Sequence, residues 1–234
     1  MGDVQPQPDD LPFNLTDVDR QVLSQTDEMY IDHDWEGVKL LIASNKLEQF
    51  RRKPSELQRY IDWTTNIKAR YGTITNYILQ ERLKWQLDGS IPLASQCRNP
   101  VPFADPNDYR ILRNDWPYGV ALELTHLVIW LKTRIPARED NGDLTDESRT
   151  LVNDFVNRTF VARLEKLFPD ADDRVLWFKN WTALQSVRSL EHVHVVVRGV
   201  PDEIIVEWTG EHATGARFVR LDRPRIESVG IEVP

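Results

Sequence analysis

A chain of 234 residues, 41% hydrophobic and 28% charged, can bury a substantial core and has the make-up of a soluble globular domain. No apolar run approaches the ~18 residues of a membrane span, and the polar, acidic start Met1–Pro6 does not read as a signal peptide. A net charge of -8 argues against indiscriminate binding to DNA, and a single cysteine, Cys97, allows neither an internal disulfide nor a multi-cysteine zinc site. The expectation is a cytoplasmic protein with no metal and no cofactor.

In chain order, residues 1–13 are rich in Pro and Asp and read as a disordered tail. Residues 14–234 read as one α+β domain, with a helical part over 14–87 and a sheet-containing part over 105–221. Thr16, Asp17 and Asp19 open a first helix, their acids complementing its dipole. Asp34 caps a second over Trp35–Ile42. Pro54 sits in the first turn of a third, with Leu57, Tyr60, Ile61 and Ile67 at helical spacing and Gly72 at its end. Ile74–Trp85 continues in the same style. A long irregular connection over 88–108 follows, of the kind often found at working sites. Leu124–Leu131 reads as a strand, and Thr145 begins a helix running to about Phe168. Val175–Phe178 and Leu190–Val197 are strands, Pro201–Trp208 is a short amphipathic helix, and Arg217–Leu221 is a last strand. The expected architecture is a helical N-terminal half packed on a small mixed or antiparallel sheet.

The most informative stretch is Glu191-His192-Val193-His194. Alternate side chains of a strand share a face, so His192 and His194 stand side by side, two of only five histidines. Together they form a candidate acid–base pair near neutral pH; the plainer alternative is a pair of hydrogen-bonded core histidines. His126 on its apolar strand reads first as a satisfied core residue. The turn Asn114–Gly119, with Trp116 and Tyr118, leads into that strand and is a candidate binding loop or an ordinary aromatic turn. Asp202, Glu203 and Glu207 either decorate a helix start or accept a cationic group such as guanidinium. Nine basic and four acidic residues between Lys46 and Lys84 give that segment +5 and leave -13 for the rest. It is a solvated face or a phosphate-backbone contact through Arg51, Arg52, Lys53, Arg59, Lys68 and Arg70. No phosphate loop, dinucleotide fingerprint, nucleophile elbow or zinc motif is present.

Several phrases carry a family resemblance: LPFNLTDVDRQVL (11–23), YGTITNYILQERLKW (71–85), PFADPNDYRILRNDWPYG (102–119), THLVIWLKT (125–133), LWFKNWTALQSVRSLEHVHVVV (176–197) and VEWTG (206–210). In phrase, order and spacing the chain resembles the fungal N-acetylglucosamine-induced protein family over residues 11–210. That family includes the arginine-containing cyclodipeptide synthases. The resemblance implies a transferase that takes arginyl-tRNA and a second aminoacyl-tRNA and releases a cyclic arginine dipeptide, a diketopiperazine of secondary metabolism. The acidic D-D-x-x-E motif associated with that branch has no strict copy here. The closest cluster is Asp202, Glu203 and Glu207, which would read the guanidinium. In this reading His192 or His194 is the general base, Glu191 orients it, Asn180 and Gln185 donate to a carbonyl, Trp116, Tyr118 and His126 line the substrate site, and the basic segment meets tRNA.

A second resemblance is to the histidine-triad nucleotide hydrolases and transferases. Pro117, His126, the helix from Thr145, Asn180 and Gln185-Ser186-Val187 occur in their order, although the His192–Val196 stretch lacks a third histidine. A third possibility is a non-catalytic sugar-nucleotide or regulatory binding protein of amino-sugar metabolism.

Overall fold

The computed structural model describes residues 17–85 and 88–212. Four helical segments come first: α1 Asp17–Leu23, α2 Trp35–Ala43, α3 Pro54–Tyr71 and α4 Ile74–Tyr77. Local chemistry fixes their ends. Asp34 Oδ1 accepts the backbone N–H of Gly37 at 2.8 Å, satisfying a donor that the first turn leaves without a partner. Gly72 takes φ 79° at the end of α3, a left-handed conformation that costs glycine little. The chain continues from α4 through wide π-type turns at Ile78–Leu83 and leaves them at Lys84 with φ 52°.

The sheet holds β1 Tyr109–Arg113, β2 Leu124–Leu131, β3 Val175–Phe178 and β4 Glu191–Arg198, in the order β1-β2-β4-β3 with every pair antiparallel. Between β2 and β3 run α5 Asp146–Val156, π-type turns over Asn157–Val161 and α6 Ala162–Leu164. α7 Asp202–Thr209 follows β4. Register divides the residues of the central strands between two faces. Leu127, Ile129 and Leu131 with Val193, Val195 and Val197 pack against Phe155, Phe160 and Leu164 and against Ile204 and Ile205 of α7. His126, Val128 and Trp130 with His192, His194 and Val196 take the other face, where α2, α3 and the 78–83 turns lie. Both faces are covered, so residues 191–197 of β4 are all buried, and after Glu191 the strand reads as a near-continuous apolar run broken only by its histidines.

The expected α+β class is the one observed, and the helices anticipated after Asp34, at Pro54, after Thr145 and after Pro201 all form. Two differences have physical causes. β1 was not expected: two of its five residues are arginine, and Pro- and Asn-rich turns flank it, so alternation has little length to register. The long helix ends at Leu164 rather than near Phe168, with π-type turns interrupting it. The strand expected at Arg217–Leu221 and the disordered tail 1–13 lie outside the described residues.

Candidate functional site

A cavity of about 390 Å³ opens between the histidine face of the sheet and α3 with the 78–83 turns. His192 and His194 form part of its lining, with Trp63, Trp130, Arg52 and Asn180 among the other walls. Cross-strand neighbours on one face of an antiparallel pair come close together, and here the pairing builds a row of three imidazoles. His126 of β2 lies opposite Val196, the position where a third histidine of the strand motif would stand. The third imidazole is thus supplied by the neighbouring strand. Nothing local in the sequence marks it, because the pairing of residues 70 apart sets it.

All three rings are almost fully enclosed, at 5%, 5% and 7% exposure for His126, His192 and His194. Burial disfavours the charged form. It pushes His126 down to about 3, with the Arg52 charge adding to the effect. His194 is held well below its ordinary value by burial and then by its two histidine neighbours. His192 is also lowered, again chiefly by burial. The row is neutral at pH 7.

Hydrogen-bond partners then fix where the protons sit. The Asn114 amide nitrogen lies 3.3 Å from both ring nitrogens of His126, but the Tyr118 N–H donates to Nδ1 alone, at 3.5 Å, making that nitrogen the acceptor. His126 Nε2 therefore carries the proton and donates to His194 Nδ1 at 3.0 Å. His194 Nε2 faces the side-chain amide of Asn180, whose Nδ2 lies 3.4 Å away and whose Oδ1 is buried without a partner. A half-turn of that amide gives the ring an acceptor and leaves Oδ1 able to accept from the Tyr118 hydroxyl, which now lies 2.9 Å from Nδ2. His192 differs. Its Nδ1 lies 2.8 Å from the Leu190 carbonyl, which can only accept, so Nδ1 holds the proton. Nε2 keeps its lone pair, with no partner among the described residues, on the wall of the cavity. Of the three rings, His192 has the free basic nitrogen.

The other anticipated residues divide into those the fold brings here and those it does not. Trp116, Tyr118, Asn180 and Gln185 all line the cavity. Gln185 Nε2 donates to the Asn180 carbonyl at 2.7 Å, so it positions Asn180. Glu191 does not orient a histidine. Alternation turns it to the opposite face, where it is buried beside Lys179 Nζ at 3.0 Å and Arg134 at 3.7 Å. Asp202 pairs with Arg113, Glu207 with Arg163 at 2.8 Å, and Glu203 is exposed; none of the three lines the cavity. Arg59 and Arg70 lie on the exposed surface of α3, with Lys68 half-buried. Lys53 approaches Asp32 at 3.7 Å, and Arg51 is half-buried. Arg52 turns inward, its guanidinium 4.4 Å from the Tyr60 ring and 5.2 Å from the Tyr118 ring.

Other lining residues escaped the sequence. Trp130 shares the face of His126 four residues on, which alternation could have shown. Trp63, Glu48 and Arg82 arrive from helical segments far away in the chain. Arg82 lies on the π-type turns and binds Asp115 at 2.8 Å and Glu211 at 2.6 Å; burial raises the carboxyl of Asp115 despite that contact. The binding loop is clamped in place: Gly119 N–H donates to the Arg51 carbonyl at 2.8 Å, and the Tyr30 hydroxyl donates to the same oxygen at 2.8 Å. Among the described residues no group of His, Cys, Asp and Glu is arranged to hold a metal ion, and no helix is long and apolar enough to cross a membrane.

Fold and site define an α+β protein with a four-stranded antiparallel sheet and a buried imidazole row beneath an aromatic cavity. The chain belongs to the family described as "Protein of unknown function (DUF3605)", which matches residues 34–198. It is 31% identical over 185 residues to "N-acetylglucosamine-induced protein 1" of Candida albicans, covering 74% of this chain and 71% of that protein. "Uncharacterized protein YPL067C" of Saccharomyces cerevisiae is 27% identical over 165 residues, with 70% and 77% coverage. Among solved structures, "Crystal Structure of HTC1" superposes with a TM-score of 0.57 at 26% identity, covering 73% of this chain and 86% of that one. Every element of the imidazole row and its sheet lies within the family match.

Proposed function

We propose that the protein is an aminoacyl-tRNA-dependent cyclodipeptide synthase, acting in the cytosol on arginyl-tRNA and a second aminoacyl-tRNA. The observation that carries the reading is the one imidazole nitrogen of the row without a partner among the described residues, His192 Nε2, on the wall of a cavity lined by charges of both signs. Asp19, Glu48 and Asp115 stand there with Arg52, Arg82 and Arg113. A zwitterionic lining suits an aminoacyl ester, which brings an ammonium on one side and phosphates on the other.

The ester is already activated, so the protein's task is orientation and proton movement. The α-amine of one aminoacyl group attacks the ester carbonyl of the other, and His192 Nε2 takes the amine proton. Collapse of the tetrahedral intermediate forms the amide and expels the ribose oxygen, which receives that proton. The remaining amine then attacks the remaining ester in the same way and closes the ring, releasing the second tRNA. Within the cavity Asp19 or Glu48 would meet a guanidinium, since Asp202, Glu203 and Glu207 lie elsewhere. The exposed basic residues of α3, Arg59 and Arg70, would meet the tRNA backbone.

The test is mass spectrometry of purified protein incubated with a full aminoacyl-tRNA mixture carrying labelled arginine. A labelled cyclic dipeptide is expected; intact arginyl-tRNA with no cyclic product would overturn the reading.

One observation favours a second reading, histidine-triad-like nucleotidyl hydrolysis or transfer. His126 completes a row of three imidazoles, with His192 Nε2 as the attacking atom. Its mark is a covalent nucleotidyl-histidine after incubation with dinucleoside polyphosphates or nucleotide sugars, absent in His192→Gln.

A further inference from the structure

The three guanidinium groups on the cavity wall differ in their charge partners. Arg82 is neutralised by Asp115 and Glu211, and Arg113 by Asp202. Arg52 has no carboxylate within ion-pair distance among the described residues. Its Nη2 donates to the Trp116 carbonyl at 2.8 Å, and its Nε is buried with no acceptor. A second buried donor without an acceptor, Trp63 Nε1, belongs to the same wall, joined to Arg52 through the Tyr60 ring, whose centroid lies 5.9 Å from that of Trp63. Arg52 is half-buried; a partly desolvated cation with neither counter-ion nor full hydrogen bonding is costly, and an oxyanion supplied from outside relieves that cost. Its charge reaches the site itself, since it helps to lower both His126 and His194.

The surrounding walls say what the anion is attached to. Tyr60, Trp63, Trp116 and Trp130 line the cavity, and Trp116 approaches Tyr60 and Trp63 with ring centroids 5.3 Å apart in each case. Aromatic side chains offer a platform for a flat heterocycle. The volume of about 390 Å³ falls within the usual range for a small-ligand site.

We infer that this cavity binds a nucleotide unit, its phosphate received by the Arg52 guanidinium and its base stacked on the aromatic wall. The inference takes the cavity to be the working site of the proposed function but does not depend on which reaction occurs there. The nucleotide is either the terminal adenosine unit of a tRNA 3′ end or a free nucleotide; both present the same phosphate and base.

The test is equilibrium binding, followed by tryptophan fluorescence, of AMP, adenosine and the trinucleotide CpCpA. AMP is expected to bind at least tenfold more tightly than adenosine, the discrimination that one charge-assisted contact supports, and its affinity should fall as salt rises. In Arg52→Gln the ratio should shrink to under threefold. Equal binding of AMP and adenosine by the unaltered protein would overturn the inference without recourse to any variant, as would no AMP binding at millimolar concentration. Full discrimination retained in Arg52→Gln would also overturn it. Tighter binding of CpCpA than of AMP assigns the site to a tRNA terminus, and the reverse to a free nucleotide; either supports the inference. Failure to form a cyclic dipeptide while AMP still binds would remove the synthase reading and leave this one standing.

Discussion

Acidification from pH 7 to pH 5 should destabilise this protein through its imidazole row. A histidine whose folded value lies below its unfolded value contributes stability that is fully present above about pH 6.5 and is lost as pH falls, because only the unfolded chain takes up the proton. For His126, held at about 3, linkage gives a loss of about 2 kcal/mol between pH 7 and pH 5. Set against a typical domain stability of about 5–15 kcal/mol, that is a large fraction. His192 and His194 are lowered too and act in the same sense. Carboxylates held low by hydrogen bonds or ion pairs, such as Asp27 and Asp170, lose their contribution only at lower pH. The raised carboxyl of Asp115 opposes the histidines but is common to wild type and variant. The assay is urea denaturation at pH 7, 6 and 5 for wild type and His126→Gln. The wild-type stability should fall by about 2 kcal/mol more than that of the variant across this window. Parallel pH dependences would refute the reasoning.

Three further outcomes follow from packing and placement. A Cβ at Gly119 would stand 2.3 Å from the Tyr30 hydroxyl, which is itself tied to the Arg51 carbonyl. Gly119→Ala should therefore cost about 1–3 kcal/mol and loosen the binding loop, as read by thermal unfolding and by faster proteolysis near Trp116. Phe160 is completely buried beneath α7; Phe160→Ala should cost about 3–5 kcal/mol in chemical denaturation. Glu203 and Glu207 lie away from the cavity, so Glu203→Gln with Glu207→Gln should leave product formation by mass spectrometry within about twofold; a tenfold loss would move guanidinium recognition back to α7.

Much of the architecture was legible because its signals are local. Asp34 as a cap, Pro54 in a first turn, Gly72 beyond a helix end, and the apolar alternation of 124–131 and 190–197 each act within a few residues. The two histidines of β4 were readable as a pair for the same reason, and their alternation also separated them from Glu191. The site as a whole was less legible. His126 joins the row only through strand pairing, and Arg52 reads in sequence as one more member of a basic segment until the fold turns it between Tyr60 and Tyr118. The acidic residues of α7 show the reverse: they stood out as a cluster, yet none lines the cavity; Asp202 neutralises Arg113 of its wall and Glu207 meets Arg163 outside it.

The most direct test of the account is the single-turnover rate of dipeptide formation from aminoacyl-tRNA, compared between wild type, His192→Gln and His126→Gln at pH 7. If His192 Nε2 moves the proton, His192→Gln should lose about 10²–10⁴-fold in rate with aminoacyl-tRNA binding intact. His126→Gln, altering the member of the row that bonds His194 and not His192, should lose much less. Equal rates for His192→Gln and wild type would contradict the assignment of the base.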